Sequence, residues 1–150
     1  MKSICVDAGF LIGLYDERDE HHQQAQQYFL SFFESTPNRM LIPWPILYET
    51  LSTRMVRNRK AMVLLEKDWK RLALQRRLEL LSDVELREGI VDECFDQLRN
   101  PSLQYRSLSA VDRILRKVVA DTNLRIHALL TFNPRDFRDV CERSRCEMHP

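Results

Sequence analysis

The stretch Ile4-Cys5-Val6-Asp7 is the most informative part of the sequence, because three apolar residues in a row end at a carboxylate. Residues 2–6 predict a short buried strand, and the apolar character resumes through residues 10–15. A charged group beside buried surface costs free energy unless a partner compensates it. Asp7 is therefore a candidate functional residue. The structural alternative is an aspartate that caps the next segment by accepting hydrogen bonds from its backbone N–H groups.

Two further acids, Glu49 and Asp112, stand beside apolar segments in the same way. Glu49 lies within the largely apolar residues 46–51, and Asp112 opens the helical run of residues 111–115. Three carboxylates from distant parts of a chain can share one divalent metal ion, and such a site can hydrolyse phosphodiesters. The sequence therefore predicts a metal-dependent hydrolytic site built from these acids.

Both of these acids also have structural alternatives, which the sequence leaves open. Glu49 can face solvent or pair with Thr53 or Arg54. The segment Ser109-x-x-Asp112 resembles a capping box, and an acid in the first helical turn is stabilised by the helix dipole. Capping is compatible with a metal role, because a capped helix start holds the carboxylate in a defined direction.

Strand and helix patterns alternate along the chain. The apolar runs predict strands over residues 2–6, 40–43, 78–81 and 126–131. Helical patterns begin near His22 and Pro45, extend over residues 60–75, and recur over residues 90–98 and 111–119, with a break at Asn100-Pro101 and a short helix and edge strand in the tail. This alternation predicts one α/β domain over residues 1–150, a parallel sheet of four to five strands with helices on both faces.

The predicted sheet brings the polar residues together. Asp7, the turn from Pro45 to Glu49, and Asn133 each follow a predicted strand. In open parallel sheets, binding sites form outside the carboxyl ends of the strands. The acids are therefore expected to converge at that edge.

Composition narrows the class of protein. The 150 residues are 44% hydrophobic and 30% charged, which suits one compact domain with a real core. The sequence has no apolar run long enough for a membrane helix and no signal-peptide pattern, and its four cysteines are unpatterned, so we expect a cytoplasmic protein with reduced thiols. A zinc site at Cys141, Cys146 and His149 is the alternative, but it lacks a fourth ligand and tight spacing.

Charge is distributed unevenly although the net charge is only +1. Residues 54–77 contain nine bases and two acids, whereas residues 79–96 contain seven acids and one base. The basic segment has two interpretations that remain open here. It is a surface that attracts phosphates, or it is a solvated helix face.

Five segments follow one another along the chain and together span nearly all of it, although each alone is nonspecific. They are Ile4-Cys5-Val6-Asp7, His22-x-x-Ala25, Pro45-Ile46-Leu47-Tyr48-Glu49, Leu108-Ser109-Ala110-Val111-Asp112, and Leu130-Thr131-Phe132-Asn133-Pro134-Arg135-Asp136-Phe137. In this order they resemble the PIN domain family, and within it the small toxins of VapBC-type toxin–antitoxin pairs.

The resemblance implies a PIN-like, Rossmann-like fold and a metal-dependent endoribonuclease. Asp7, Glu49 and Asp112 would be the catalytic residues and the ligands of Mg²⁺ or Mn²⁺. Asn133 or Asp136 would take a fourth position in this cluster. Thr131 and Ser109 would support it.

The resemblance also implies partners. The substrate would be RNA, cleaved to leave a 5′-phosphate and a 3′-hydroxyl, and the protein would form a homodimer neutralised by an antitoxin protein. Candidate contacts to the RNA phosphates are Arg54, Arg57, Arg59 and Arg113.

The sequence departs from the family pattern at two places. Ala8 and Gly9 follow the first aspartate, where the family usually has Thr or Ser, and Asn133 stands where a fourth acid is usual. These departures support an alternative, a catalytically weakened PIN-like module that binds RNA or protein. A phosphotransfer enzyme of the haloacid dehalogenase type would need a second aspartate at the position of Gly9. Phosphate-binding loops and serine or cysteine hydrolases are excluded, because their motifs are missing.

Overall fold

A computed structural model describes residues 1–99 and 108–149 and contains a five-stranded sheet in which every strand pair is parallel. The strands lie in the order β3-β2-β1-β4-β5. The predicted parallel sheet is confirmed, and so are its predicted strands and the edge strand in the tail. The strands are β1 (Ser3–Val6), β2 (Arg39–Pro43), β3 (Leu78–Leu81), β4 (Ile126–Leu130) and β5 (Glu147–His149).

The helices are α1 (Ala8–Tyr15), α2 (His22–Phe29), α3 (Trp44–Thr50), α4 (Thr53–Val56), α5 (Arg59–Leu74), α6 (Arg87–Arg99), α7 (Ala110–Ala120) and α8 (Arg138–Ser144). Helices α1 to α5 connect β1 to β2 and β2 to β3, whereas α6 to α8 connect β3 to β4 and β4 to β5. Because the two groups connect strands in opposite directions across the sheet and such crossovers are right-handed, they cover opposite faces. Most helix packing lies within each group, and α3 also packs against α7.

Short irregular helices complete the connections. A π-helical segment, Leu30–Glu34, extends α2, and 3₁₀ turns span Val84–Leu86 and Pro134–Asp136. The predicted break at Asn100-Pro101 lies outside the described residues. Within the described ranges, no helix is both long enough and apolar enough to cross a membrane.

Helix α1 is an element that the sequence patterns did not assign. It begins directly after Asp7, and most of its side chains are buried. A helix buried on nearly every side has no polar face, so its sequence lacks the 3.6-residue alternation that identifies a surface helix. By contrast, the predicted helix α7 is confirmed, because Ile114, Leu115, Val118 and Val119 form its single buried stripe.

The basic segment, residues 54–77, is partly neutralised within the protein. Arg77 is buried, and its guanidinium donates to the main-chain oxygens of Phe33, Thr36 and Asn38. Arg77 therefore fits neither of the two interpretations of this segment, since it joins the end of α2 to the start of β2. Four other bases of the segment are held in ion pairs: Arg54, Lys60, Lys70 and Arg71.

Candidate active site

The site begins where β1 and β4 lie side by side at the centre of the sheet. Chain connections leave this strand pair in opposite directions, toward β2 and β3 on one side and toward β5 on the other. Such a reversal opens a crevice at the carboxyl ends of the strands. Val6 pairs with Leu130 at this end, so the next residues of the two strands, Asp7 and Thr131, emerge together.

Asp7 is held by hydrogen bonds to both of its carboxylate oxygens. Oδ1 accepts from the backbone N–H of Ala8 at 2.7 Å, and Oδ2 accepts from the hydroxyl of Thr131 at 2.8 Å. The Thr131 hydroxyl in turn accepts from the backbone N–H of Asn133 at 3.0 Å. Asp7 therefore caps α1, as the structural alternative expected. A carboxylate has about four lone-pair positions, so the cap leaves room for a cation.

Glu49 and Asp112 reach the same region from two different helices. Helix α3 packs against α7, which brings the Glu49 turn toward the start of α7. The hydroxyl of Ser109 accepts from the backbone N–H of Asp112 at 3.1 Å, so the predicted cap is confirmed and fixes the direction of that turn. Asp112 is partly buried, whereas Glu49 is exposed.

The three acids interact electrostatically. Burial raises the pKa of Asp7 above its ordinary value, the hydrogen bonds from Thr131 and Ala8 oppose this rise, and the carboxylates of Asp112 and Asp136 reinforce it. Partial desolvation raises the pKa of Glu49, and so do the nearby charges of Asp7 and Asp112. Like charges raise carboxyl pKa values only when they lie close together. The structure thus brings Asp7, Glu49 and Asp112 into one negatively charged cluster.

Asn133 and Asp136 form a bonded pair beside this cluster. The side-chain amide of Asn133 donates to Oδ2 of Asp136 at 2.5 Å, and Asp136 is buried. Arg116 donates to the main-chain oxygen of Asp136 at 2.7 Å and pairs with Asp139. Sequence reasoning missed Arg116, because an arginine on the polar face of α7 has no distinguishing local pattern.

The oxygen donors of this cluster are of the type that a hard divalent cation prefers. Among the residues described, no group of three or more His, Cys, Asp or Glu side chains is arranged to hold a metal ion by itself. Mg²⁺ and Mn²⁺ do not need one, because Mg²⁺ keeps several water ligands and commonly binds through one or two carboxylates. Repulsion from neighbouring carboxylates contributes to the raised pKa values of Asp7 and Glu49. A bound cation would offset this repulsion.

The candidate RNA-binding arginines lie in different environments. Arg54 pairs with Asp16 at 2.8 Å and with Asp19 at 3.6 Å. Arg113 is mostly buried and contacts Glu93 and Gln97. Two of the four candidates are thus engaged within the protein, and the others, Arg57 and Arg59, are exposed.

Asp16 anchors the Arg54 interaction, and no local pattern in the sequence predicts this contact. Its side chain is fully covered and accepts from the guanidinium groups of Arg54 and Arg18 and from the backbone N–H of Arg18. Burial raises the pKa of Asp16, but these hydrogen bonds outweigh burial and hold the pKa below its ordinary value. The contact joins the end of α1 to α4.

Replacing Asp16 with asparagine is expected to lower the free energy of unfolding by about 1–2 kcal/mol, with allowance for the half-exposed Arg54. The corresponding fall in Tm is roughly 2–8 °C. Because the folded-state pKa is depressed, the stabilisation is present above the unfolded-state pKa of about 4 and is lost as the pH falls below it. Thermal unfolding at neutral and acidic pH measures both effects.

Glu17→Gln is the matched control, because Glu17 is an adjacent exposed acid that pairs with exposed Lys60. This control should unfold like the wild type, since exposed ion pairs contribute little. Equal Tm values for Asp16→Asn and Glu17→Gln at neutral pH would contradict the anchoring role of Asp16.

Comparison with known proteins places this geometry in a family. The PIN domain family model matches residues 4–143. A similar solved structure is the VapC20 toxin of Mycobacterium tuberculosis, described as cleaving the sarcin–ricin loop, with a TM-score of 0.61, 18% identity, and coverage of 91% of this chain and 94% of that one. At this identity the likeness supports the fold alone. No curated protein matches the sequence. Since the matched residues span nearly the whole chain and include all three acids, the chain belongs to the PIN domain family.

Proposed function

We propose that this protein is a metal-dependent endoribonuclease, the toxin of a toxin–antitoxin pair. The observation that carries the proposal is the grouping of Asp7, Glu49 and Asp112 at the carboxyl ends of the strands, where α3 packs against α7 and the charges of Asp7 and Asp112 raise the pKa of Glu49. Carboxylates that repel one another in this way destabilise the fold unless a cation joins them. Membership of the PIN family and the likeness in fold to a toxin that cleaves RNA give further support.

Each acid has a distinct role in the proposed reaction. Asp7 and Asp112 would hold Mg²⁺ or Mn²⁺, and Glu49 would orient the attacking water and accept its proton. When bound, the ion supplies a Lewis acid that lowers the pKa of water and offsets charge on the phosphate. Water oxygen joins phosphorus as the bond from phosphorus to O3′ breaks, which leaves a 5′-phosphate and a 3′-hydroxyl. The raised pKa of Glu49 suits a general base.

The departure at Ala8 and Gly9 is compatible with activity. These residues offer no hydroxyl beside Asp7, but Thr131 donates its own hydroxyl to Oδ2 of that aspartate. The side chain of Asn133 bonds to Asp136 and so connects a further carboxylate to the cluster. We infer that Thr131 and the pair of Asn133 and Asp136 complete the site, with Ser109 positioning Asp112.

Cations on α7 and α8 are further candidates for contacts to the RNA backbone, and each of them also pairs with Glu93 or Asp139 within the protein. A cavity of about 290 Å³ is lined by basic side chains from these helices together with Glu93. Arg113, which follows Asp112, lines this cavity, and its Nε has no hydrogen-bond partner among the residues described. Positive charge next to the acids would offset the repulsion between RNA phosphates and carboxylates. The basic residues are Arg113, Arg116, Lys117 and Arg143.

We propose that the protein acts in the cytoplasm as a homodimer and is neutralised by an antitoxin. A groove of about 260 Å³ beside α1, α2 and α5 offers a surface for the second copy. Exposed Leu30 and Leu64 line this groove together with the polar side chains of Gln26, Glu34 and Asp68. Exposed apolar side chains among polar ones are typical of a protein–protein interface.

Cleavage of a mixed, end-labelled RNA by the purified protein tests the proposed activity. We expect fragments with 5′-phosphates in Mg²⁺ or Mn²⁺ and none in EDTA, which also excludes contaminating ribonucleases that need no metal. Thermal unfolding with and without Mn²⁺ provides a second readout, since a bound ion raises the Tm. Absence of both cleavage and a metal-dependent Tm would contradict the proposal.

The second candidate is a PIN-like module that binds RNA or protein without cleaving it. Ala8, Gly9 and Asn133 are the residues that favour it. This candidate predicts RNA binding that is insensitive to metal, together with an unchanged Tm in Mn²⁺. The two assays above therefore separate the two functions.

A further inference from the structure

Two aromatic rings are exposed on the helix that carries Glu49. Trp44 and Tyr48 lie four residues apart on α3, with ring centroids 5.8 Å apart and planes inclined by 38°. Tyr48 is 70% exposed and Trp44 is 36% exposed. Large aromatic side chains usually bury most of their surface in a folded protein. An exposed aromatic pair in contact is therefore typical of a binding surface.

The helix geometry places this pair beside the acid cluster. Ile46, Leu47 and Thr50 face the core, so the outward arc of α3 carries Trp44, Pro45, Tyr48 and Glu49. Successive residues turn by about 100°, which puts the two rings at one side of that arc and Glu49 at the other. A ligand whose reacting group lies at Glu49 would therefore extend across α3 onto the rings.

An arginine emerges at the same end of the sheet as the two rings. Pro43 pairs with Leu81, so the start of α3 and the turn that leads from β3 to Arg87 lie side by side. Arg87 is largely exposed and pairs with Asp83. Proteins bind single-stranded RNA by stacking its nucleobases on aromatic side chains and by placing basic side chains such as arginine against its phosphates. A protein segment could also cover apolar rings. The position of this pair next to a proposed phosphodiester site favours the RNA strand.

We propose that Trp44 and Tyr48 form a stacking platform for one unpaired base of the RNA, next to the nucleotide whose phosphate lies at the acids. This inference rests on the proposed ribonuclease function and deepens it, because it makes the substrate a single-stranded or looped segment. The platform selects for an unpaired base, since every base presents a face that stacks and a base inside a duplex cannot reach the rings.

Binding and cleavage of a single-stranded RNA oligonucleotide that spans a mapped cleavage site test the platform. Tyr48→Ala should weaken binding, measured by fluorescence anisotropy in EDTA, roughly 5- to 100-fold, the usual loss when a stacking ring is removed. Tyr48→Phe keeps the ring and should bind within about twofold of the wild type. The same RNA annealed to its complement should bind no better to the wild type than to Tyr48→Ala.

Leu74→Ala is the matched control. Leu74 is 87% exposed and ends α5 just before β3, at the opposite edge of the sheet from the acids. Loss of this apolar side chain should leave RNA binding unchanged. Far-ultraviolet circular dichroism and the Tm should be alike for Leu74→Ala, Tyr48→Ala and the wild type.

Oligonucleotides with one abasic position locate the stacked base. In the wild type, removal of one particular base near the cleavage site should weaken binding by the same factor as Tyr48→Ala. In Tyr48→Ala, removal of that base should have no further effect, because the two changes remove one shared interaction. Additive losses would overturn the platform.

The two proposals fail in different ways. If the wild type cleaves RNA and Tyr48→Ala and a Trp44→Ala variant bind and cleave equally well, the platform is overturned and the ribonuclease stands. If the wild type neither binds nor cleaves RNA, both proposals are overturned. Loss of binding in Tyr48→Ala with retention in Tyr48→Phe and Leu74→Ala supports the platform.

Discussion

Replacing Asp7 with asparagine should lower metal-dependent RNA cleavage about 10³-fold or more, the scale of losses seen when a carboxylate is removed from catalytic machinery. Asparagine keeps the shape of the side chain and an oxygen that can accept from the N–H of Ala8. It removes the charge on the carboxylate, which is central to the proposed cation site because Asp7 is coupled to both Asp112 and Asp136. Single-turnover cleavage in Mg²⁺ measures the loss.

The same substitution should not destabilise the protein in EDTA. Burial and neighbouring carboxylates raise the pKa of Asp7, so its ionised form costs folding free energy at neutral pH. Loss of this charge should make Asp7→Asn as stable as the wild type or more stable, because the neutral amide avoids the cost of the buried charge. In Mn²⁺ the order should reverse, because only the wild type gains the free energy of metal binding.

Glu17→Gln is the control for Asp7→Asn as well, because it removes an exposed acid that pairs with Lys60 outside the cluster. We expect Glu17→Gln to retain cleavage and the rise in Tm with metal. Full activity in Asp7→Asn would contradict the central role of this carboxylate. A large loss of stability in EDTA would contradict the interpretation of its raised pKa.

The sequence predicted the parts of the structure that leave a periodic or positional pattern. The strand ending at Asp7 and the stripe on α7 are confirmed because each buries one defined set of apolar residues. The helix caps are confirmed as well: Asp7 accepts from the N–H of Ala8, and Ser109 accepts from the N–H of Asp112. Asp and Ser are preferred at the position directly before a helix. Convergence of the acids followed from a general rule about parallel sheets, not from the acids themselves.

Features that depend on long-range contacts could not be predicted from local patterns. Arg54 and Arg77 look like surface charges in the sequence, yet one pairs with Asp16, 38 residues away, and the other binds carbonyl oxygens at the end of α2. Helix α1 was missed because uniform burial removes the polar face. A guanidinium is equally suited to phosphate, carboxylate and carbonyl oxygens, so only the fold determines which one it meets.

Loss of the Thr131 hydroxyl should also lower activity strongly, because Thr131 positions Asp7 without contacting substrate in the proposed reaction. Its hydroxyl donates to Oδ2 of Asp7 and accepts from the N–H of Asn133, and the side chain is buried. Thr131→Val keeps the volume and removes both hydrogen bonds. We expect kcat/KM to fall about 10- to 100-fold, as it does when second-shell partners of metal ligands are lost.

A pH profile distinguishes positioning from simple damage to the fold. The hydrogen bond from Thr131 lowers the pKa of Asp7, so its loss raises that pKa further. The acidic limb of the activity profile should therefore move to higher pH in Thr131→Val. Thr131→Ser retains the hydroxyl and should keep both the limb and most of the activity, at a stability cost of about 1 kcal/mol for the lost methyl group. If Thr131→Ser and Thr131→Val have the same rate and the same pH profile, the hydroxyl of Thr131 does not position Asp7. Thr131 then does not compensate for the hydroxyl that is missing at Ala8 and Gly9.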